Sequence, residues 1–215
     1  MLSAKERLDH LLELAEKGPT MRAALAEEVA DLLLNWPPDC PRAMRSPCEA
    51  LLQRAAWEMN GLQRAELSKR IGSKPHLPLP FLNALFFQAP DPLKKNILSR
   101  NASAAPAHQG SAADETALIA AARSGQTFVD PLARIFGISH EIAENILSDT
   151  SGQSLAAACK GALVSRASFS ALAVLIAKDG ASSWLEVYEN VPQPAAERLM
   201  QSWRAAKISL REAAE

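Results

Sequence analysis

Apolar positions recur along this chain with a helical rather than an alternating rhythm. Leu8, Leu11, Leu12 and Leu14 fall at helical spacing, and a Ser3/Glu6 capping box precedes them while Gly18 suits the C′ position. Leu25, Val29, Leu32 and Leu33 line a second helix. Thr20 can cap it, and Pro37-Pro38 stop it near Trp36. Ser46, Pro47 and Glu49 read as N-cap, N1 and N3 of a third helix carrying Leu51, Leu52, Ala55 and Met59 and ending at Gly61. A short fourth helix follows over 62–71. After a turn marked by Pro75, Pro78 and Pro80 come an apolar helix over 81–88 and another opened by Asp91-Pro92. Residues 101–113 (NASAAPAHQGSAA) hold no large apolar side chain and read as a linker or mobile loop. Beyond it the pattern predicts helices over 114–124, 130–137, 140–148, 153–163, 169–177, 182–190 and 194–213, with Ser139 and Ser165 as caps and Gly125, Gly137 and Gly180 as terminators. No segment reads as a strand.

A repeat sharpens this picture. Arg22-Ala23-Ala24-Leu25 aligns with Arg64-Ala65-Glu66-Leu67, and Val29 then matches Ile71. The offset falls within the roughly 40–47-residue period of HEAT-type hairpins. Hairpins of that kind stack because a lone one cannot bury its apolar face. The expected fold is therefore all-α, a HEAT-like α-solenoid of stacked hairpins, in two lobes: 1–100, then the 101–113 linker, then 114–215.

Composition agrees. Of the 215 residues 48% are hydrophobic and 22% charged, aromatics are 5%, and Ala and Leu supply about a third of the chain. Strands favour β-branched and aromatic side chains, so most all-β folds are excluded. Lys+Arg 23 against Asp+Glu 24 leaves a net charge of −1, without the basic excess typical of nucleic-acid or membrane binders. Cys40, Cys48 and Cys159 show no CxxC spacing, which points to a reducing cytoplasm. No stretch approaches the ~18 apolar residues of a membrane span, and the first helix lacks the apolar core of a signal peptide.

The segments RAALAEEVADLLLN (Arg22–Asn35), ALLQRAAWEM (Ala50–Met59), LQRAELSKRIG (Leu62–Gly72) and LARIFGISHEIAENILSDTSGQSLAAACKGALVSRASFSALAVLI (Leu132–Ile176) carry a resemblance. Together they resemble an alphaproteobacterial HEAT-like all-helical family of unknown function, over most of residues 4–185. The chain departs from that pattern around 75–112, where Pro-rich turns and the Ala/Ser segment replace an acidic, Val-rich hairpin. The resemblance implies a cytoplasmic all-helical protein of a proteobacterium and assigns no activity.

Candidate chemistry is sparse. His140-Glu141-Ile142-Ala143-Glu144 approaches the zinc-protease HExxH pattern, but the second His is a Glu, so the sequence offers two ligands and no third. No nucleophile elbow, Walker loop or dinucleotide fingerprint occurs. Neither metal, cofactor nor catalysis is expected. Leu132–Leu147 has a helix-turn-helix rhythm, yet its second helix would present Glu141 and Glu144 to DNA phosphates. Two basic groups, Lys69, Arg70 and Lys74, then Lys94, Lys95 and Arg100, could share one edge of a stack. Phe86 and Phe87, within a Phe/Leu-rich segment, could form a self-association or partner patch. These eight residues are the candidate partner-binding set. The expected role is that of a non-enzymatic protein-interaction module or adaptor binding a protein, or a second copy as a homodimer. The alternative is a nucleic-acid-associated regulator using the basic edge.

Overall fold

The computed structural model describes residues 4–18, 21–71, 74, 76–103, 113–124, 128–177 and 180–212. Among the described residues, thirteen α-helices account for nearly all of the regular structure, helix covers 81%, and no strand occurs. The chain divides into two compact units, 1–96 and 97–215.

In the first unit, α1 (Ala4–Glu16), α2 (Arg22–Leu34), α3 (Arg45–Glu58), α4 (Gly61–Ile71) and α5 (Leu79–Leu85) precede α6 (Asp91–Ser103), which spans the division. Helix α2 packs on α1, α3 and α4, while α5 packs on α3 and α4. The apolar stripe read from the sequence is the one buried: Leu25, Val29, Leu32 and Leu33 on α2 meet Leu52, Ala55 and Trp57 of α3 and Leu67 and Ile71 of α4 in the core. The aligned pairs Leu25/Leu67 and Val29/Ile71 are all buried.

Two expected caps differ. Ser46 is not the N-cap of α3: a 3-10 turn over Arg42–Met44 feeds the helix directly, so α3 begins at Arg45 and Ser46 and Pro47 sit in its first turn. Proline is tolerated there because first-turn amides have no intrahelical partner. Gly61 does not terminate α3. Met59 turns the chain into an extended conformation, and Gly61 opens α4. Asn60 and Gln63 cap that helix reciprocally, the Gln63 amide donating to Asn60 Oδ1 (2.9 Å) and the Asn60 amide to Gln63 Oε1 (3.0 Å). Ser3 and Thr20 lie outside the described residues, as does Gly125.

The second unit holds α7 (Glu115–Arg123), α8 (Val129–Phe136), α9 (His140–Ser148), α10 (Gln153–Gly161), α11 (Arg166–Ala177), α12 (Ala181–Asn190) and α13 (Gln193–Glu212). Helix α10 is its axis. Seven of its nine residues are buried, against α9, α12 and α13. The N-terminus of α10 is held by Asp149, whose carboxylate accepts from the amides and hydroxyls of Ser151 and Ser154. Gly137 closes α8 in the left-handed conformation, and Ser139 Oγ caps α9 by accepting from the Ile142 amide. Of the segment read as a linker, 101–103 continue α6 and 104–112 lie outside the described residues.

Helix α10 ends in a Schellman-type turn, the Val164 amide donating to the Cys159 carbonyl (2.9 Å). The left-handed position of that turn falls on Leu163, with φ 58° and its side chain 41% exposed. An L-residue there costs about 1–2 kcal/mol. Leu163→Gly is expected to stabilise the protein by about 0.5–1 kcal/mol, the strain relieved less glycine's extra unfolded-state entropy. Equilibrium urea melts would measure it, and no gain would mean that Leu163 sits there without strain.

Candidate interaction surfaces

The first basic group lies beside carboxylates of α2. Arg70 Nη1 is 2.7 Å from Glu27 Oε1, and Lys74 Nζ is 3.3 Å from Asp31 Oδ1. Glu27 and Asp31 are one helical turn apart on α2, so the pairs form a two-rung ladder from α2 to Arg70 in the last turn of α4 and to Lys74 beyond its end. The Arg70 guanidinium is held more basic than usual, first by its hydrogen bond to Glu27. Lys69 is exposed and 3.6 Å from Glu66. The second group does not form an edge. Lys94 is buried, its Nζ 5.7 Å from the centre of the Phe86 ring, while Lys95 is exposed and Arg100 half-buried. Its spacing on α6 explains this: Leu93, Lys94, Ile97 and Leu98 share the helix's buried side.

Phe86 and Phe87 are not a surface patch. They sit in a 3-10 turn continuing α5, 0% and 6% exposed. Residues 81–87 are buried without interruption, because the last five residues of α5 and the first two of the 3-10 turn are covered on all sides rather than along one stripe. Trp57, Trp184 and Trp203 are buried as packing residues. Trp36 is half-buried and donates to the Cys40 carbonyl at 3.2 Å.

His140 bridges α8 and α9. Its Nδ1 is 2.8 Å from Asp130 Oδ1 and its Nε2 is 3.3 Å from Glu144 Oε1. The bond to Asp130, with the nearby Glu144 charge, raises its pKa. Asp130 is the third group beside His140 and Glu144, one that sequence spacing could not place. The two carboxylates nevertheless engage opposite ring nitrogens, so the three groups do not converge on one point. Among the described residues no group of three or more His, Cys, Asp and Glu is arranged to hold a metal ion. All three cysteines are buried free thiols, and burial pushes the Cys48 and Cys159 thiols up, away from the thiolate form.

The surface that the sequence reading missed is α11. One face, with Phe169, Leu172 and Ala173, is buried in the unit, where α11 packs on α7 and α12. The opposite face holds Ala167, Ala171 and Val174 at i, i+4 and i+7, beside Leu175. Val174 is 59% exposed and Leu175 37%. A helix on a protein surface normally turns charged side chains outward; Arg166 is the one charged residue of RASFSALAVLIA. That scarcity was readable in the sequence, but which half of an all-round apolar helix faces outward was not.

The N-terminus of α11 is fixed in place. Glu115, in the first turn of α7, accepts from the Ser165 amide (2.9 Å) and the Ser165 hydroxyl (2.7 Å), and also from the Ser168 hydroxyl. Arg166 pairs with Glu189 of α12. The Ser165 and Ser168 hydrogen bonds hold the Glu115 carboxyl below its ordinary pKa. A carboxyl lowered in the fold contributes stability above its unfolded value near 4.3 and loses it as pH falls through the lower folded value. Wild type is therefore expected to exceed Glu115→Gln in stability at pH 7, with the gap closing as pH falls below about 4. Urea melts of both proteins at pH 7 and pH 3 would show it. A gap independent of pH would assign the effect to packing.

A concave site lies in the first unit, between α1, α2 and α3. It encloses about 190 Å³, with Ala15, Leu25, Leu51 and Ala55 as its apolar surface and Arg22, Arg54 and Glu58 at its polar side. Glu58 is shared: Arg22 Nε lies 2.5 Å from Oε2 and Arg54 Nε 2.7 Å from Oε1. Arg22 Nη1 also donates to the Ala15 carbonyl at 2.9 Å, tying α2 to the C-terminus of α1.

These features define an all-helical protein with exposed apolar and basic-rimmed surfaces, and no described helix is long and apolar enough to cross a membrane. Residues 106–205, which cover most of the second unit, match the family described as an uncharacterised protein conserved in bacteria (DUF2336). No curated protein and no solved structure matches the chain.

Proposed function

We propose that this chain is a non-enzymatic protein-interaction module or adaptor of a proteobacterial cytoplasm, built as a HEAT-like stack of helical hairpins. The observation that carries the reading is the outer face of α11, where Val174 and Leu175 stand exposed on a helix with one charged residue. Exposed apolar clusters of this kind mark interfaces. Anchoring at Glu115 and Arg166 presents the face in a fixed position, which lowers the ordering cost of binding. The solenoid form is supported by the 42-residue offset between α2 and α4 and by the packing of α2 on α1, α3 and α4. The nucleic-acid alternative draws no support from the basic groups, since Arg70 and Lys74 are paired with α2 carboxylates and Lys94 is buried.

The test is affinity capture from nuclease-treated cytoplasm with wild type and with Val174→Glu/Leu175→Glu, followed by calorimetry with the purified captured protein. Both substitutions are at exposed positions and should leave the circular dichroism spectrum unchanged. A partner whose affinity falls at least tenfold with the double variant supports the reading. Capture of nothing specific, or equal affinity for both proteins, overturns it. Sedimentation as a dimer that the double variant dissociates would also overturn the adaptor form, because the partner would then be a second copy.

A further inference from the structure

We infer that the site between α1, α2 and α3 binds the C-terminal residue of a partner peptide, taking a large apolar side chain against its alanine and leucine surface and the α-carboxylate at its arginines. The volume of about 190 Å³ matches one such side chain; a cavity of roughly 150 Å³ already accepts a benzene. The polar side is charge-complementary to one further carboxylate. Two guanidiniums flank the single carboxylate of Glu58, which leaves a net charge of +1 from these three groups.

The geometry separates the roles of the two arginines. Arg22 is 18% exposed and already committed to Glu58 and the Ala15 carbonyl, so it fixes the wall. Arg54 is 68% exposed and gives only its Nε to Glu58. Among the described residues its four Nη protons have no protein acceptor, and they form the fork that grips a carboxylate in two-point fashion. Glu58, satisfied by both cations, orients that fork. A carboxylate and an apolar side chain borne on the same carbon suit a site whose donors rim an apolar surface, whereas an internal peptide residue with an apolar side chain brings no carboxylate.

This inference rests on the interaction-module reading for the source of its ligand, but it concerns a different unit from α11. The two can therefore fail separately: Val174→Glu/Leu175→Glu should leave binding at this site intact. The probe is N-acetyl-leucine, titrated into the isotopically labelled full chain and followed by two-dimensional NMR. Saturable shifts at Arg22, Leu25, Leu51 and Ala55 in the millimolar range are expected. N-acetyl-leucinamide, which has no carboxylate, should bind at least tenfold more weakly, and so should N-acetyl-leucine to Arg54→Gln. The spectrum of that exposed-site variant should otherwise be preserved. Absence of saturable shifts at these residues, equal binding of the amide, or full affinity in Arg54→Gln overturns the assignment. If 4-methylpentanoate, the same side chain and acid without the peptide group, binds as tightly as N-acetyl-leucine, the peptide C-terminus is overturned as the ligand in favour of a free carboxylic acid.

Discussion

Gly161→Ala is expected to destabilise the second unit by about 2–3 kcal/mol. Helix propensity alone points the other way, since alanine is favoured over glycine in a helix by about 0.8–1 kcal/mol. The site decides the sign. A Cβ on Gly161 would lie 2.3 Å from the Ala196 carbonyl oxygen and 2.8 Å from Met200 Cβ. Backbone cannot rotate away as a side-chain tip can, so α13 would have to shift off α10, the axis of the unit. Overpacking of this kind costs about 1–3 kcal/mol and sometimes more, and the propensity gain offsets only part of it. Thermal and urea melts should show a midpoint lowered by about 5–10 °C for that loss. Gly180→Ala is the control: among the described residues its Cβ would meet only Ala177 Cβ at 3.7 Å, an ordinary contact. A neutral or stabilising Gly161→Ala would mean that α10 and α13 are not in this close approach.

Gly152→Ala should cost about as much, by two additive causes. Gly152 has φ +73°, a left-handed conformation that costs an L-residue about 1–2 kcal/mol. Its Cβ would also fall 2.6 Å from Cγ and Cδ2 of Trp184, which adds about 1–3 kcal/mol of overpacking. The sum is near 3 kcal/mol. Trp184 must move, and its hydrogen bond from Nε1 to the Thr150 carbonyl (3.3 Å) goes with it, so tryptophan fluorescence should change in the folded state. Gly137→Ala separates the two causes. Gly137 has φ +70°, but a Cβ there meets only Arg204 Nε at 3.9 Å. That variant should lose about 1 kcal/mol, from the backbone alone. Equal losses at Gly137 and Gly152 would remove the clash from the account.

The outward face of α11 and the ladder of Arg70 and Lys74 show how far the candidate surfaces could be read without coordinates. The sequence places Lys69, Arg70 and Lys74 in a cluster, but Glu27 and Asp31, the partners of Arg70 and Lys74, lie 43 residues earlier. Only the packing of α4 on α2 brings them together. Lys94 and Phe86 form a parallel case. Each belongs to a residue class with a clear surface or core preference, and both are buried in the first unit, with Lys94 Nζ over the Phe86 ring. Conversely, Val174 and Leu175 sit in a run whose apolar content suggests burial, and they are exposed. The concave site between α1, α2 and α3 had no sequence signature, because its residues come from three helices.

What the sequence determines by itself is local. Helical periodicity, the scarcity of β-branched and aromatic residues, the caps at Ser139 and Ser165 and the left-handed glycine at 137 act through neighbours within a few residues. Those interactions set an all-helical chain and most helix ends. The tertiary structure alone decides which side of an apolar helix meets a neighbour, as at α11, and which charges meet across helices, as at Arg22–Glu58–Arg54. It also decides how close two backbones come, as at Gly161 and Ala196. The physical reason is that burial and charge pairing are properties of pairs distant in the chain, and they are fixed only when the helices pack.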